Sequence, residues 1–274
     1  MMPQKPKTNK RRPIIALLTD FGVRDWFVAS MKGVIKGIAP ASEIIDIAHE
    51  VEPHNIASAS FILQSCFRDF PEGTVFCAVV DPGVGSARRR LAATDGAYFF
   101  VAPDNGLLCG VEAVSESFLV YSIMNTGIMR KGPGTTFEGR DVFAPAAAHL
   151  ATGMPIEALG PLCKDMNRLD LYTAERDSQG KLKGRVIYID RFGNLLTNIM
   201  PDDLPEDVSP LSIVISIKGR RIRGLHESYA SVKPGALVAY WGSTGRLEIA
   251  VNCGSAAKIL SARAGDVVTL SIRV

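Results

Sequence analysis

Apolar residues along this chain fall into two textures. In the first half, short continuous apolar runs alternate with stretches whose apolar positions repeat at helical spacing. Residues 13–20, 43–48 and 74–80 are such runs and predict buried strands. Between the first two, Phe27, Val28, Met31, Val34, Ile35 and Ile38 fall on one helical face. Residues 55–67 predict a second helix, and Pro71-Glu72-Gly73 closes the connection to the third strand. A β-α-β-α-β order predicts a mainly parallel sheet with right-handed crossovers. Residues 91–94 and 98–102 predict further strands, 102–106 a turn, and 141–152 an Ala-rich helix running into Gly153.

The pattern weakens and turns polar over residues 157–183, and the second texture follows. Residues 182–189, 211–217, 236–241, 247–251 and 267–274 are short apolar runs separated by Gly, Pro, Asn or Ser. That spacing predicts an antiparallel barrel or sandwich. The expected fold class is α/β: an N-terminal mainly parallel sheet with flanking helices, plus a smaller C-terminal antiparallel β-barrel-like domain. The expected boundaries are a disordered basic tail over 1–12, the α/β domain over 13–160, a linker over 161–183 and the β domain over 184–274.

Composition narrows the class. A chain of 274 residues, 47% hydrophobic and 22% charged, can bury a sizeable core and fits a soluble globular protein. The net charge of +3 owes much to Lys5, Lys7, Lys10, Arg11 and Arg12. This run reads as a solvated arm, so nucleic acid is not an expected partner. No apolar run suits a membrane span, and the N-terminus lacks the apolar core of a signal peptide. The five cysteines, Cys66, Cys77, Cys109, Cys163 and Cys253, form no CxxC pair. They suggest reduced thiols in a cytoplasmic protein, with no disulfide framework and no zinc site.

Candidate chemistry sits in polar, glycine-punctuated blocks at predicted strand ends. Asp81-Pro82-Gly83-Val84-Gly85 breaks the third strand, and Arg88 follows. Ligands of open α/β sheets bind beyond the carboxyl ends of strands, where an acid and a guanidinium orient a polar reactant; a plain surface turn is the competing reading. Asp20 ends the first strand and suits either a ribose diol or an N-cap of the next helix. Glu138 suits a general base, an ion pair with Arg140, or a helix N-terminal acid. Asp190-Arg191-Phe192-Gly193-Asn194 offers a carboxylate for an ammonium, a ring for stacking and an amide for a base edge. On its own it reads as a β-turn with Phe192 in the core. The four histidines, His49, His54, His149 and His226, lack metal-ligand spacing. The Gly83-Val84-Gly85 loop is not a P-loop, and no GxSxG elbow is present. The joint occurrence of these blocks in both halves argues for a cleft between domains.

In combination and in order, the blocks TDFG (19–22), DPGVGSARR (81–89), APDNGLL (102–108), TFEGRD (136–141), DRFGNLLTN (190–198) and GSTGRLEIAVN (242–252) resemble one family. These are the S-adenosylmethionine hydroxide adenosyltransferases, adenosine-forming hydrolases related to fluorinase and chlorinase. The resemblance runs from Ile14 to the C-terminus. It implies an α/β N-domain joined to a β-barrel-like C-domain, assembly as a homotrimer, and active sites between one subunit's N-domain and a neighbour's C-domain. It implies no metal or redox cofactor. The implied partners are S-adenosyl-L-methionine as substrate and adenosine and L-methionine as products.

By that resemblance Asp20 holds the ribose hydroxyls, Phe192 and Tyr229 flank the adenine, and Asn194 and the backbone at Cys253 read its edge. Asp190 takes the methionine ammonium, with Ser243 and Thr244 beside it, and Phe137 lines the substrate pocket. Asp81 and Arg88 match two members of a water-holding Asp-Arg-His triad. The family's usual Phe-His-Gly-Arg-Asp reads Phe137-Glu138-Gly139-Arg140-Asp141 here, so Glu138 occupies the histidine place. The implied reaction is displacement at C5′ by an oriented water, and Arg88 is expected to keep Asp81 and Glu138 both ionised. A halogenase is the nearer alternative, and two carboxylates at the nucleophile's place disfavour its halide. A non-catalytic S-adenosylmethionine or adenosine binder is the other.

Overall fold

A computed structural model describes residues 12–132, 134–178 and 180–273. The expected basic tail, Arg12 apart, lies outside the described residues. The chain divides into two compact units, the first ending at Arg168 and the second beginning at Leu169.

In the first unit, strand β1 (Ile14–Thr19) leads to helix α1 (Phe27–Ile38), β2 (Glu43–Ala48), α2 (Ile56–Cys66) and β3 (Val75–Val79). Then come β4 (Arg90–Thr94), β5 (Phe99–Pro103), the single turn α3 (Cys109–Glu112), β6 (Leu119–Ser122) and α4 (Ala144–Ala151). The sheet order is β2-β1-β3-β5-β4-β6. Strands β2, β1, β3 and β5 run parallel. The sheet is completed by β4 and β6, both in antiparallel pairings. Residues Ile15 to Thr19 of β1 are fully buried, as a central parallel strand covered on both faces requires. Helix α1 turns Val28, Met31, Val34 and Ile35 inward, and Asn55 caps α2 by accepting from the Ser58 N–H at 2.9 Å. The helix expected over 141–152 begins instead as a π-helical turn, Gly139–Phe143, that runs into α4.

The second unit contains β7 (Glu175–Arg176), β8 (Leu182–Ile189), β9 (Leu195–Thr197), β10 (Ile213–Ile217), β11 (Arg220–Arg223), β12 (Leu237–Trp241), β13 (Leu247–Val251), the short helix α5 (Ala256–Leu260) and β14 (Val267–Ile272). All its ladders are antiparallel, in the order β11-β10-β14-β8-β9-β13-β12, with β7 beside β8. The His226 N–H donates to the Ala239 carbonyl at 2.9 Å, which nearly closes the path into a barrel. Ile213, Ile215 and Ile217 alternate inward along β10, the two-residue period of a half-buried strand.

Candidate active site

The first unit's polar residues converge because of its topology. Strand β1 connects to β2 on one side and β3 pairs on the other, so the sheet changes direction between β1 and β3. Parallel register sets Thr19 opposite Val79. The loops carrying Asp20 and Asp81 therefore leave the same sheet edge at the switch point, where open α/β sheets place ligands.

Asp81 is no surface-turn residue, since its side chain is only 4% exposed. Its Oδ1 accepts from Arg88 Nε at 2.7 Å, and its Oδ2 accepts from Arg88 Nη2, a bidentate pair. The same Nη2 donates to Glu138 Oε2. Arg88 also lies over the Phe143 ring at 5.4 Å. Glu138 is buried, and its Oε1 accepts from Arg90 Nε at 2.8 Å and from Arg90 Nη2. Burial pushes the Glu138 carboxyl up, but Arg90 and Arg88 outweigh it and hold the group below its ordinary value. Burial likewise pulls Arg88 down, and its bonds to Asp81 and Glu138 leave it above the usual arginine value.

The Asp81 and Glu138 carboxylates line a pocket of about 170 Å³ walled by Phe21, Phe27, Val79 and Phe137. Phe137 meets Phe27 edge-on at 5.2 Å and Phe21 at 6.0 Å. Gly139 is needed for this wall, because a Cβ there would come within 3.1 Å of the Phe21 ring. Asp20 does not cap α1, whose N-cap is Trp26. Instead its Oδ2 accepts from the His54 N–H at 2.9 Å, holding that residue at a φ of 67°. The Asp104-Asn105 block is structural. Asp104 binds Arg89 at 2.7 Å and the Asn167 N–H at 2.7 Å, and Asn105 donates to the Val80 carbonyl at 2.8 Å. Arg140 pairs with Asp141 at 2.7 Å, not with Glu138.

The second unit carries its own constellation. Asp190 Oδ1 accepts from the backbone N–H groups of Phe192 and Asn194 at 2.9 and 2.8 Å. Gly193 sits at a φ of 86°, with its Cβ position filled by Ser255. This turn throws Phe192 outward, 75% exposed, against the core position the isolated turn reading gave it. Asn194 Nδ2 donates to Asp190 Oδ2 at 2.7 Å and to Tyr229 Oη at 3.2 Å. Both amide hydrogens are thereby used, so only Asn194 Oδ1 remains to meet a ligand. Tyr229 lies 2.6 Å from Tyr240 Oη, which is 2.8 Å from Glu248 Oε2. Burial first, and then the Asp190 charge, raise the Glu248 carboxyl against the lowering effect of its Tyr240 bond. The β12–β13 hairpin presents Ser243 exposed. Beside it, the buried Thr244 Oγ1 has no hydrogen-bond partner among the described residues. Cys253 is exposed in the left-handed region at a φ of 56°, its Sγ 3.4 Å from Asn252 Oδ1.

Sequence reasoning missed Arg90, Tyr240 and Glu248. A signal for Arg90 existed: a buried second acid beside Asp81 calls for a second cation, and Arg90 follows Arg88 and Arg89. The described residues contain no cluster of three or more His, Cys, Asp or Glu able to hold a metal. None of their helices is long and apolar enough to cross a membrane.

Fold and site together define an α/β unit with an acid–guanidinium pocket at its switch point, followed by a β-barrel unit bearing an aromatic, carboxylate and amide constellation. The family model for the SAM hydroxide adenosyltransferase N-terminal domain matches residues 15–160, and that for the C-terminal domain matches residues 184–269. The chain belongs to the SAM hydroxide adenosyltransferase family. It is 39% identical over 268 residues to the (R)-S-adenosyl-L-methionine hydrolase of Thermus thermophilus, covering 94% of this chain and 99% of that protein. A fluorinase from Nocardia brasiliensis is 31% identical, over 97% of this chain and 99% of its own length. The crystal structure of an uncharacterized conserved protein from Thermotoga maritima matches with a TM-score of 0.86 at 38% identity, covering 93% of this chain and 99% of that one.

Proposed function

We propose that the protein is an S-adenosyl-L-methionine hydrolase, releasing adenosine and L-methionine. The observation that carries this reading is the buried Asp81–Arg88 pair in a pocket at the β1/β3 edge of a chain belonging to this family. Asp81 has acceptor capacity left after both bonds from Arg88, and a water donating to it is fixed beside an apolar wall. The water's lone pair forms the C5′–O bond while the C5′–S electron pair leaves on sulfur, so methionine departs as a neutral thioether. The attacking water's proton passes to Asp81 and on to solvent. Much of the rate comes from alignment opposite the sulfur. Side chains and water supply every step.

Asp20 Oδ1 receives the ribose hydroxyls. In the second unit Asn194 Oδ1 accepts from the adenine amine, Phe192 and Tyr229 flank the base, and the backbone at Cys253 meets its edge. Asp190 Oδ2, Ser243 and the unpartnered Thr244 hydroxyl take the methionine end. The pocket of about 170 Å³ is smaller than the roughly 300 Å³ at which ligand sites begin, so a second surface must complete it. We assign that surface to a neighbouring subunit of a homotrimer; a monomer in sedimentation would refute the assignment. The two carboxylates do not make the pocket strongly anionic, because Arg88 and Arg90 offset them. Water is favoured over halide because Asp81 presents a carboxylate acceptor at the nucleophile's place. Incubation with S-adenosyl-L-methionine and chromatography of the products tests the reading. Adenosine and methionine are expected, and tight binding without turnover would favour a binding protein.

A further inference from the structure

The Asp81–Arg88 pair does not stand alone, and the residue that completes it lies on β4. The Arg90 backbone is held on both sides: it registers with Pro103 of β5, and its carbonyl accepts from the Ile123 N–H at 2.7 Å. Its side chain, 37% exposed, places two N–H donors on Glu138 Oε1. Those two bonds occupy both lone-pair sites of Oε1. The carboxylate plane is then set, and Oε2 is directed at Arg88 Nη2, the nitrogen that also holds Asp81 Oδ2.

We propose that Arg90 is a positioning residue for the hydrolysis reaction: by gripping Glu138 it keeps that carboxylate as the ionised clamp that fixes Arg88 on Asp81, leaving Asp81 to take the water's proton. This rests on the hydrolase reading. Two carboxylates and two guanidiniums share the cluster, so it is neutral only while Glu138 is ionised. A protonated Glu138 has one acceptor site fewer and an O–H that must be turned away from Arg88 or Arg90. Asp81 would then be left on an Arg88 held from one side.

The charged groups facing Glu138 among the described residues are Arg88 and Arg90, with Asp81 across Arg88. On its own helical turn Arg140 and Asp141 pair with each other, and on α1 Lys32 is committed to Asp46 at 2.6 Å. None of these stands to replace Arg90. Its loss leaves burial opposed by Arg88 alone, which moves the Glu138 titration upward.

The test compares the pH dependence of kcat/KM for wild type, Arg90→Met, Glu138→Gln and the double variant. A carboxyl NMR titration of ¹³C-Glu protein runs beside it, with the Glu138 signal assigned by its loss in Glu138→Gln. Arg90→Met should move the acid limb and the Glu138 midpoint to higher pH by about one pH unit, a roughly tenfold loss of kcat/KM below the limb. KM should stay within about threefold, since Arg90 does not line the pocket. Adding Arg90→Met to Glu138→Gln should produce no further limb shift. Arg90→Lys, which keeps the charge but not the fork, should restore part of the shift and serves if the methionine variant folds poorly. Turnover with an unmoved limb and an unmoved Glu138 midpoint overturns the Arg90 assignment, as does an equal shift in the Glu138→Gln background. No adenosine from the wild type at any pH overturns the hydrolase reading itself. The NMR titration needs no turnover and keeps the two failures apart.

Discussion

Replacing Arg88 with methionine isolates the contribution of the buried cluster. Methionine keeps an unbranched stem for the Phe143 contact and removes the guanidinium. Side-chain exposures of 9% for Arg88, 4% for Asp81 and 6% for Glu138 place the pair in the regime where solvent screens little. Breaking a buried pair by removing one partner costs about 3–5 kcal/mol, because the surviving charge is left uncompensated. Here Glu138 retains Arg90 but Asp81 loses both of its bonds from Arg88, so the whole range applies to Asp81. The loss should depend on pH. In the wild type Glu138 titrates below its unfolded value, so its contribution is present above that value and is lost only as pH falls through the folded one. In Arg88→Met, Asp81 and Glu138 face each other without the shared nitrogen, and one carboxyl rises above its unfolded value. Its strain is greatest at neutral pH and is relieved by protonation. The gap between variant and wild type should therefore narrow between about pH 7 and about pH 5. Urea denaturation followed by Trp26 fluorescence in a Trp241→Phe background reports on the first unit alone. A loss below about 1 kcal/mol, the range of exposed pairs, would contradict a buried, unscreened pair. So would a gap that is equal at both pH values.

Asp81→Asn should lower kcat by about 10³-fold, within the range of a lost general base, whereas Glu138→Gln should cost about 10²-fold by loosening Arg88; steady-state kinetics checks the order. Glu248→Gln should stabilise the second unit increasingly as pH rises. The wild-type carboxyl is raised by burial, so its contribution is complete below the unfolded pKa and fades as pH climbs through the folded one; denaturation midpoints across pH measure this. An analogue carrying hypoxanthine in place of adenine should bind at least about 10²-fold more weakly, because Asn194 Oδ1 would lose its donor; calorimetric titration tests it.

Legibility in the sequence followed the range of the forces involved. Strands β1, β2 and β3 and the inward face of α1 were readable because burial on both faces demands unbroken apolar runs and burial on one face demands a helical period. Strands β4 and β5 were readable as apolar runs, but β6, α3 and the antiparallel pairing were not, because β6 and α3 are too short to carry a period and strand order is a property of packing. Leu195–Thr197 was read as a motif and serves also as β9. Asp81, Arg88 and Glu138 were readable as candidates because each breaks an apolar or glycine-rich context. A single Arg88 nitrogen bridges Asp81 and Glu138. The partner of Glu138 was not readable. Sequence proximity favoured Arg140, but the π-helical turn points that guanidinium at Asp141, and only the β4 register brings Arg90 within reach. Phe192 shows the same limit, since its exposure follows from the Gly193 backbone and Ser255 behind it.

The most direct test of the central claim is hydrolysis of S-adenosyl-L-methionine in ¹⁸O-labelled water, with and without chloride, followed by mass spectrometry of the nucleoside. The expected result is adenosine bearing one labelled oxygen at the 5′ position, the same yield of L-methionine in both conditions, and release of both products slowed about 10³-fold in Asp81→Asn. Unlabelled adenosine, or a 5′-chloro nucleoside that grows with chloride, would contradict displacement by a water held at Asp81.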